Sequence, residues 1–151
     1  MTLKDFSKEV ASILPYIHVE LLKRQPAELV KSKISFTQMV ILGILSKMDN
    51  TKMGDLSKTL GVTKSAVTGL IDRLIRSGLA RRSRSKEDRR IVRVSLTTKG
   101  LNFSKKMDDF KLNSIGSLFS NINQDERVQY LEILRKLRNN IQAKLDYKFY
   151  A

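Results

Sequence analysis

Residues 56–100 read LSKTLGVTKSAVTGLIDRLIRSGLARRSRSKEDRRIVRVSLTTKG, and two changes of pattern inside this stretch decide the fold. A short helix over about 53–60 ends at Gly61, the residue best suited to the left-handed turn that closes a helix. Thr63 then stands where an N-cap belongs, and a helix runs to Gly78 with Val67, Leu70, Ile71, Leu74 and Ile75 inward. From 79 to 97 the period becomes two. Segments 79–82 and 91–96 flank the polar run 83–90, and Val92, Val94 and Leu96 alternate with Arg93, Ser95 and Thr97. That pattern predicts a basic β-hairpin.

The flanks are helical. Phe6, Val10, Ile13, Leu14, Ile17 and Leu21 form one apolar face over 4–23, where Pro15 predicts a kink or a break into two pieces. A second helix spans about 36–47, with Ser35 and Gln38 at capping-box spacing, and residues 49–51 read as a turn. Thr97 or Thr98 opens a long helix carrying Leu101, Met107, Phe110, Ile115, Leu118 and Ile122. Asn123 and Glu126 again have capping-box form and open a last helix through Val128, Leu131, Leu134, Leu137, Ile141 and Leu145.

A short helix, a Gly-Val turn, a capped helix and a two-stranded basic hairpin make up the layout of a winged helix-turn-helix. The predicted fold class is therefore mainly α with a small β-hairpin wing, plus a helical dimerisation region. Leu56, Leu60, Val62, Val67, Leu70 and Leu74 can share one small core that holds the second helix proud of the body, as insertion into a major groove requires. That groove is roughly 12 Å wide and admits one helix. Opposite the core stripe lie Lys64, Ser65, Thr68, Gly69, Asp72 and Arg73. Ser, Thr and Lys can bond base edges or phosphates, Gly69 lets a backbone come close, and the N–H groups at 63–65 suit phosphate. Asp72 is a poor phosphate partner; pairing with Arg73 or Arg76, or accepting from a cytosine amine, is expected.

The charge agrees with that placement. The net charge of +14 divides as +2 over residues 1–51, +9 over 52–100 and +3 over 101–151. Two-thirds of the excess is thus local, which favours an anion-binding surface over a general solubility charge. Cysteine is absent, which excludes disulfides, thiolate metal sites and thiol oxidation as a signal. The N-terminus lacks the form of a signal peptide and no stretch approaches a membrane span, so a cytoplasmic location is expected.

The ordered set Leu56 to Val62, Val67-Thr68, Leu70, Asp72-Arg73-Leu74, Gly78-Leu79, Asp88-Arg89-Arg90, Val94, Leu96-Thr97 and Gly100 resembles the multiple-antibiotic-resistance regulator (MarR) family, and the likeness extends over essentially the whole chain. The resemblance implies a homodimeric, sequence-specific regulator of transcription, a repressor, on a pseudo-palindromic double-stranded DNA site. A non-specific architectural DNA-binding protein is the alternative. One MarR-like domain covers 1–151, with 35–100 as the DNA-binding part and 1–34 and 101–151 as the dimerisation part. Asp88 would order the wing turn and Arg90 enter the minor groove, while Arg84, Lys86, Arg89 and Arg73 would add phosphate contacts. Many relatives respond to small aromatic or anionic effectors. Tyr16, His18, Met39, Phe103 and Met107 are the lining candidates for one here, although Met39, Phe103 and Met107 also suit a core.

Enzyme readings find little footing. His18 is the sole histidine, and the acid pairs at 87–88, 108–109 and 125–126 do not converge, since neighbours on a helix point apart. The sequence has no phosphate loop, HExxH or Cys/His cluster, so neither a cofactor nor a tight metal site is expected.

Overall fold

A computed structural model describes residues 1–85 and 88–143. The elements run α1 (Leu3–Lys23), α2 (Ala27–Ser32), α3 (Phe36–Lys47), β1 (Thr51–Lys52), α4 (Met53–Leu60), α5 (Lys64–Arg76), β2 (Ala80–Arg84), β3 (Val92–Leu96), α6 (Thr98–Leu118) and α7 (Gln124–Ala143). The three strands form an antiparallel sheet in the order β1-β3-β2. Ala80 faces Leu96 and Arg84 faces Val92, so the hairpin is in register along its length.

Local chemistry sets most boundaries. Ser35 accepts from the Gln38 N–H at 3.3 Å while Gln38 Oε1 accepts from the Ser35 N–H at 2.9 Å, a closed capping box. The same box closes between Asn123 and Glu126. Gly61 (φ 63°) ends α4 and Gly78 (φ 72°) follows α5, both in the left-handed region. After α5, the Gly78 N–H donates to the Ile75 carbonyl and the Leu79 N–H to the Leu74 carbonyl, each at 2.9 Å, which is a full Schellman closure.

One core lies under this module. Ile41, Leu42 and Leu45 from α3 meet Leu56 of α4, Val67, Ile71 and Leu74 of α5, and Val94 and Leu96 of β3, all but removed from water. Gln38 is also buried, and its side-chain amide donates to the Leu70 carbonyl at 3.3 Å, tying α3 to the middle of α5.

Four local features add to or depart from the sequence reading. The first helix does not break: α1 is continuous through Pro15, because a proline removes one N–H and only strains the turn before it while both flanks remain good helix. A short helix, α2, follows Pro26, which fixes the entry angle for its six residues. Thr51 is no mere turn residue; it pairs with Val94 and starts β1. On α6 the buried positions are Gly100, Ser104, Met107 and Ser114, whereas Leu101 and Ile115 are about half exposed. The small residues let α6 approach the core closely with Met107, while Leu101, Leu112 and Ile115 face outward.

Helices α1 and α7 contain no buried residue. Truncating the core should therefore be far costlier than trimming the surface. Leu74→Ala is expected to lower stability by about 2–5 kcal/mol in urea denaturation. Met48→Ala, at a side chain 62% exposed, should stay within about 0.5 kcal/mol.

Candidate nucleic-acid interface

Helix α5 places its polar residues by its cap and its period. Thr63 accepts from the Ala66 N–H at 3.2 Å and meets Ser65 Oγ at 3.0 Å, which fixes the first turn. Lys64, Ser65, Thr68, Gly69 and Arg73 are all exposed, while Val67, Ile71 and Leu74 are buried. Thr68 donates its hydroxyl proton to the Lys64 carbonyl at 2.9 Å, which leaves its oxygen free to accept. A Cβ built at Gly69 would meet nothing within 4 Å, so the bare backbone there faces open space.

Asp72 does not pair with Arg73 or Arg76. Its carboxylate takes Arg82 Nη1 of β2 at 2.7 Å, and Arg82 Nη2 also donates to the Thr68 carbonyl at 3.3 Å. One guanidinium thus spans from the wing to two points on α5. The fork geometry of arginine makes this possible, and lysine could not reproduce it. Neither expected partner won because the hairpin brings β2 alongside α5, a proximity invisible in i, i+4 spacing.

The wing turn is ordered by its acid. Asp88 Oδ1 accepts from the Arg90 N–H at 2.9 Å, the Asp88 carbonyl accepts from the Ile91 N–H at 2.9 Å, and the Ser85 N–H reaches the Ile91 carbonyl at 3.0 Å. Arg89 and Arg90 are exposed at this turn, and Arg84 is exposed at the end of β2. Lys86 lies outside the described residues. Between the start of α4, the first turns of α5 and the wing opens a groove of about 750 Å³ lined by Lys52, Lys64, Thr68, Arg82, Arg84 and Arg90. Lys52 and Arg82 were not among the expected site residues. Arg82 shares strand parity with Arg84, a signal the sequence did carry; Lys52 belongs to a two-residue strand and carried none.

The five effector candidates do not share a cavity. Phe103 and Met107 line a pocket of about 430 Å³ between α2 and α6, with Leu29, Lys106 and Phe110. Lys106 pairs with Glu28 at 2.9 Å across its mouth and holds that carboxyl below its ordinary range through the hydrogen bond it donates. Tyr16 and His18 border shallow depressions on opposite sides of α1, and both are exposed. Met39 is partly buried on α3. Within the single chain, then, only Phe103 and Met107 of the five line one pocket, and His18 stays on a helix that buries nothing.

Because Arg82 and Asp72 are both partly exposed, their pair is expected to contribute orientation more than stability. Arg82→Ala should cost about 1 kcal/mol or less in urea denaturation. Amide exchange across 80–84 should nevertheless quicken, and unchanged exchange would show that the wing stands without this tie.

Comparison with known proteins places this geometry. The MarR family model matches residues 34–92. Over 71 residues, 47% of this chain, it is 42% identical to the helix-turn-helix-type transcriptional regulator YfiV of Bacillus subtilis (strain 168), and it spans 44% of that relative's length. A MarR family protein from Bacillus stearothermophilus superposes with a TM-score of 0.75 at 25% identity, covering 94% of this chain and 99% of the other. FabT of Streptococcus pneumoniae, solved in complex with DNA, shares the fold with a TM-score of 0.78 at 24% identity over 94% of this chain and 99% of its own. With residues 34–92 matched by the family model, and 30% identity over 108 residues (72% of this chain, 66% of the relative) to the helix-turn-helix-type transcriptional regulator YdgJ of Bacillus subtilis (strain 168), the chain belongs to the MarR family.

Proposed function

We propose that this chain is a sequence-specific double-stranded DNA-binding regulator of transcription, acting as a homodimeric repressor on a pseudo-palindromic operator. The observation that carries this reading is the bare polar face of α5 set beside an arginine-lined groove and an Asp88-ordered wing turn. Lys64, Ser65, Thr68 and Gly69 would read the major groove. Arg90 at the wing would enter the minor groove, where narrow A·T-rich stretches concentrate negative potential. Arg73, Arg84, Lys86 and Arg89 would hold phosphates. The name of the Bacillus subtilis relative and the DNA complex of FabT support the same role. The basic groove and bare helix call for no catalytic step, and a cytoplasmic location fits a protein acting on DNA.

Dimerisation rests on surface that one copy cannot cover. The chain exposes 11505 Å², roughly half as much again as the ~7,800 Å² of a compact 17.3 kDa monomer. Phe6, Ile13, Leu14, Val128, Leu131 and Leu137, from α1 and α7, are all 40% exposed or more. A large apolar interface between residues 1–34 and 101–143 of two copies would remove them from water. It would also set two α5 helices about 34 Å apart, on successive major grooves.

DNA selected from random oligonucleotides tests specificity and separates this reading from architectural binding. The selected site should bind ~10³-fold or more tightly than random sequence. Arg90→Ala and Lys64→Ala should each weaken it by tenfold or more, and equal affinity for all sequences would favour the architectural role. Light scattering on the free chain at micromolar concentration should return the mass of a dimer; a monomer would remove the two-fold operator.

The Phe103–Met107 pocket, lined also by Leu29 and Phe110 with the Lys106–Glu28 pair at its mouth, offers an aromatic effector an apolar seat. Phenolic acids screened by thermal shift should raise the melting temperature, and Phe103→Ala should abolish the rise. No shift with any such compound would leave Phe103 and Met107 as packing residues.

A further inference from the structure

Between the end of α5 and the start of α6 the backbone is closed unusually tightly. Three successive carbonyls after α5 each accept a hydrogen bond from α6 or its cap. Lys99 Nζ donates to Ser77 at 2.9 Å, Thr97 Oγ1 to Gly78 at 2.6 Å, and the Thr97 N–H to Leu79 at 3.0 Å. Thr97 also caps α6, accepting from the Gly100 N–H at 3.0 Å. The Leu79 carbonyl rests directly on Gly100: a Cβ there would stand 1.9 Å from its oxygen and 2.9 Å from its carbon. Both are backbone atoms, so no rotamer change could make room. Gly100 is helical and needs no special backbone angle; what it supplies is proximity.

We propose that Gly100 is a positioning residue, and that the Ser77–Leu79 joint to Thr97, Lys99 and Gly100 fixes the distance between the two reading helices of a dimer. The inference rests on the dimeric DNA-binding reading above. Helix α6 has 21 residues, and at its far end Arg24, just after α1, donates to the Ser117 hydroxyl while the rings of Phe119 and Tyr130 of α7 lie 5.1 Å apart. At 1.5 Å per residue it is a lever about 30 Å long, so a tilt of about 10° at its base moves the far end by about 5 Å. That exceeds the ~3.4 Å between successive nucleotides along a DNA strand. A joint without slack would therefore translate directly into half-site spacing. Any Cβ at position 100 must push α6 away from Leu79 and change the tilt.

The chain has no cysteine, so Ser65→Cys accepts a single spin label on each α5. The distance between the two labels in the free protein reads the geometry without DNA. In the S65C background, Gly100→Ala is expected to remain a dimer by light scattering while the label distance moves by several ångströms. Without the label, G100A should prefer, in selection from random oligonucleotides, sites whose half-sites are displaced by at least one base pair. An unchanged distance with unchanged spacing preference would overturn the proposal. A monomeric mass with no measurable inter-label distance would overturn the dimeric reading and the proposal with it, and light scattering tells that case apart. If G100A fails to fold, Lys99→Met, which removes only the bond to Ser77, should broaden the label-distance distribution, and an unbroadened one would overturn the joint.

Discussion

Along α5, Val67, Ile71 and Leu74 are wholly removed from water while Lys64, Ser65, Thr68 and Gly69 keep it, and the surrounding elements are arranged to preserve that division. Thirteen residues make a helix that is marginal in isolation, the more so with a glycine in its middle. Its persistence is supplied from outside. Thr63 closes the first turn, Gly78 and Leu79 close the last, and Gln38 bonds the Leu70 carbonyl from below. Apart from the Thr63 hydroxyl's contact with Ser65 Oγ, these supports leave the bare side untouched. The helix is gripped at both ends and underneath, so its exposed face can be polar and partly unfilled without loss of structure.

The electrostatics follow the same division. Lys64, Arg82, Arg84 and Arg90 line one groove, and like charges so placed repel one another. Exposure to water and salt keeps that cost small. Two nearby carboxylates also orient the basic residues. Asp72 aims Arg82 across from β2 to α5, and Asp88 folds the turn that presents Arg89 and Arg90. A polyanion entering the groove would relieve the remaining repulsion, which is why a surface of this kind gains affinity from phosphate contact and loses it with salt.

Much of this was legible in the sequence because it is written in local chemistry. Thr63 and Gly78 frame α5 through a cap and a left-handed turn, and the period-two run at 92–96 can only be a strand. What escaped depends on contacts between distant segments. The tie from Asp72 to Arg82 needs the hairpin folded back on the helix. Strand β1 is two residues long, too short to alternate, and exists through its pairing with Arg93 and Val94. At Pro15 the kink-or-break reading loses its break, since α1 runs on from Leu3 to Lys23. The effector candidates were scattered because Tyr16, His18, Met39 and Phe103 are alike in type, and type says nothing about which face of which helix each occupies.

The division of burial between the two parts of the chain has a thermodynamic consequence. The winged module's core residues Ile41, Leu56, Ile71 and Val94 are almost fully covered within one chain, with Phe103 of α6 packed against them. Helices α1 and α7 bury nothing by themselves, and α6 meets the module through small residues, Gly100 and Ser104. An α-helix of about twenty residues with an uncovered apolar stripe gains little from remaining folded alone, since most helical stability comes from packing that stripe. On the dimeric reading, the order of these helices and the association of two copies are one equilibrium, and their stability depends on protein concentration where that of the winged core does not. On that reading the joint at Leu79 and Gly100 is where a concentration-dependent scaffold would meet the winged module, and its rigidity, rather than the strength of either part, would govern how the two modules are spaced.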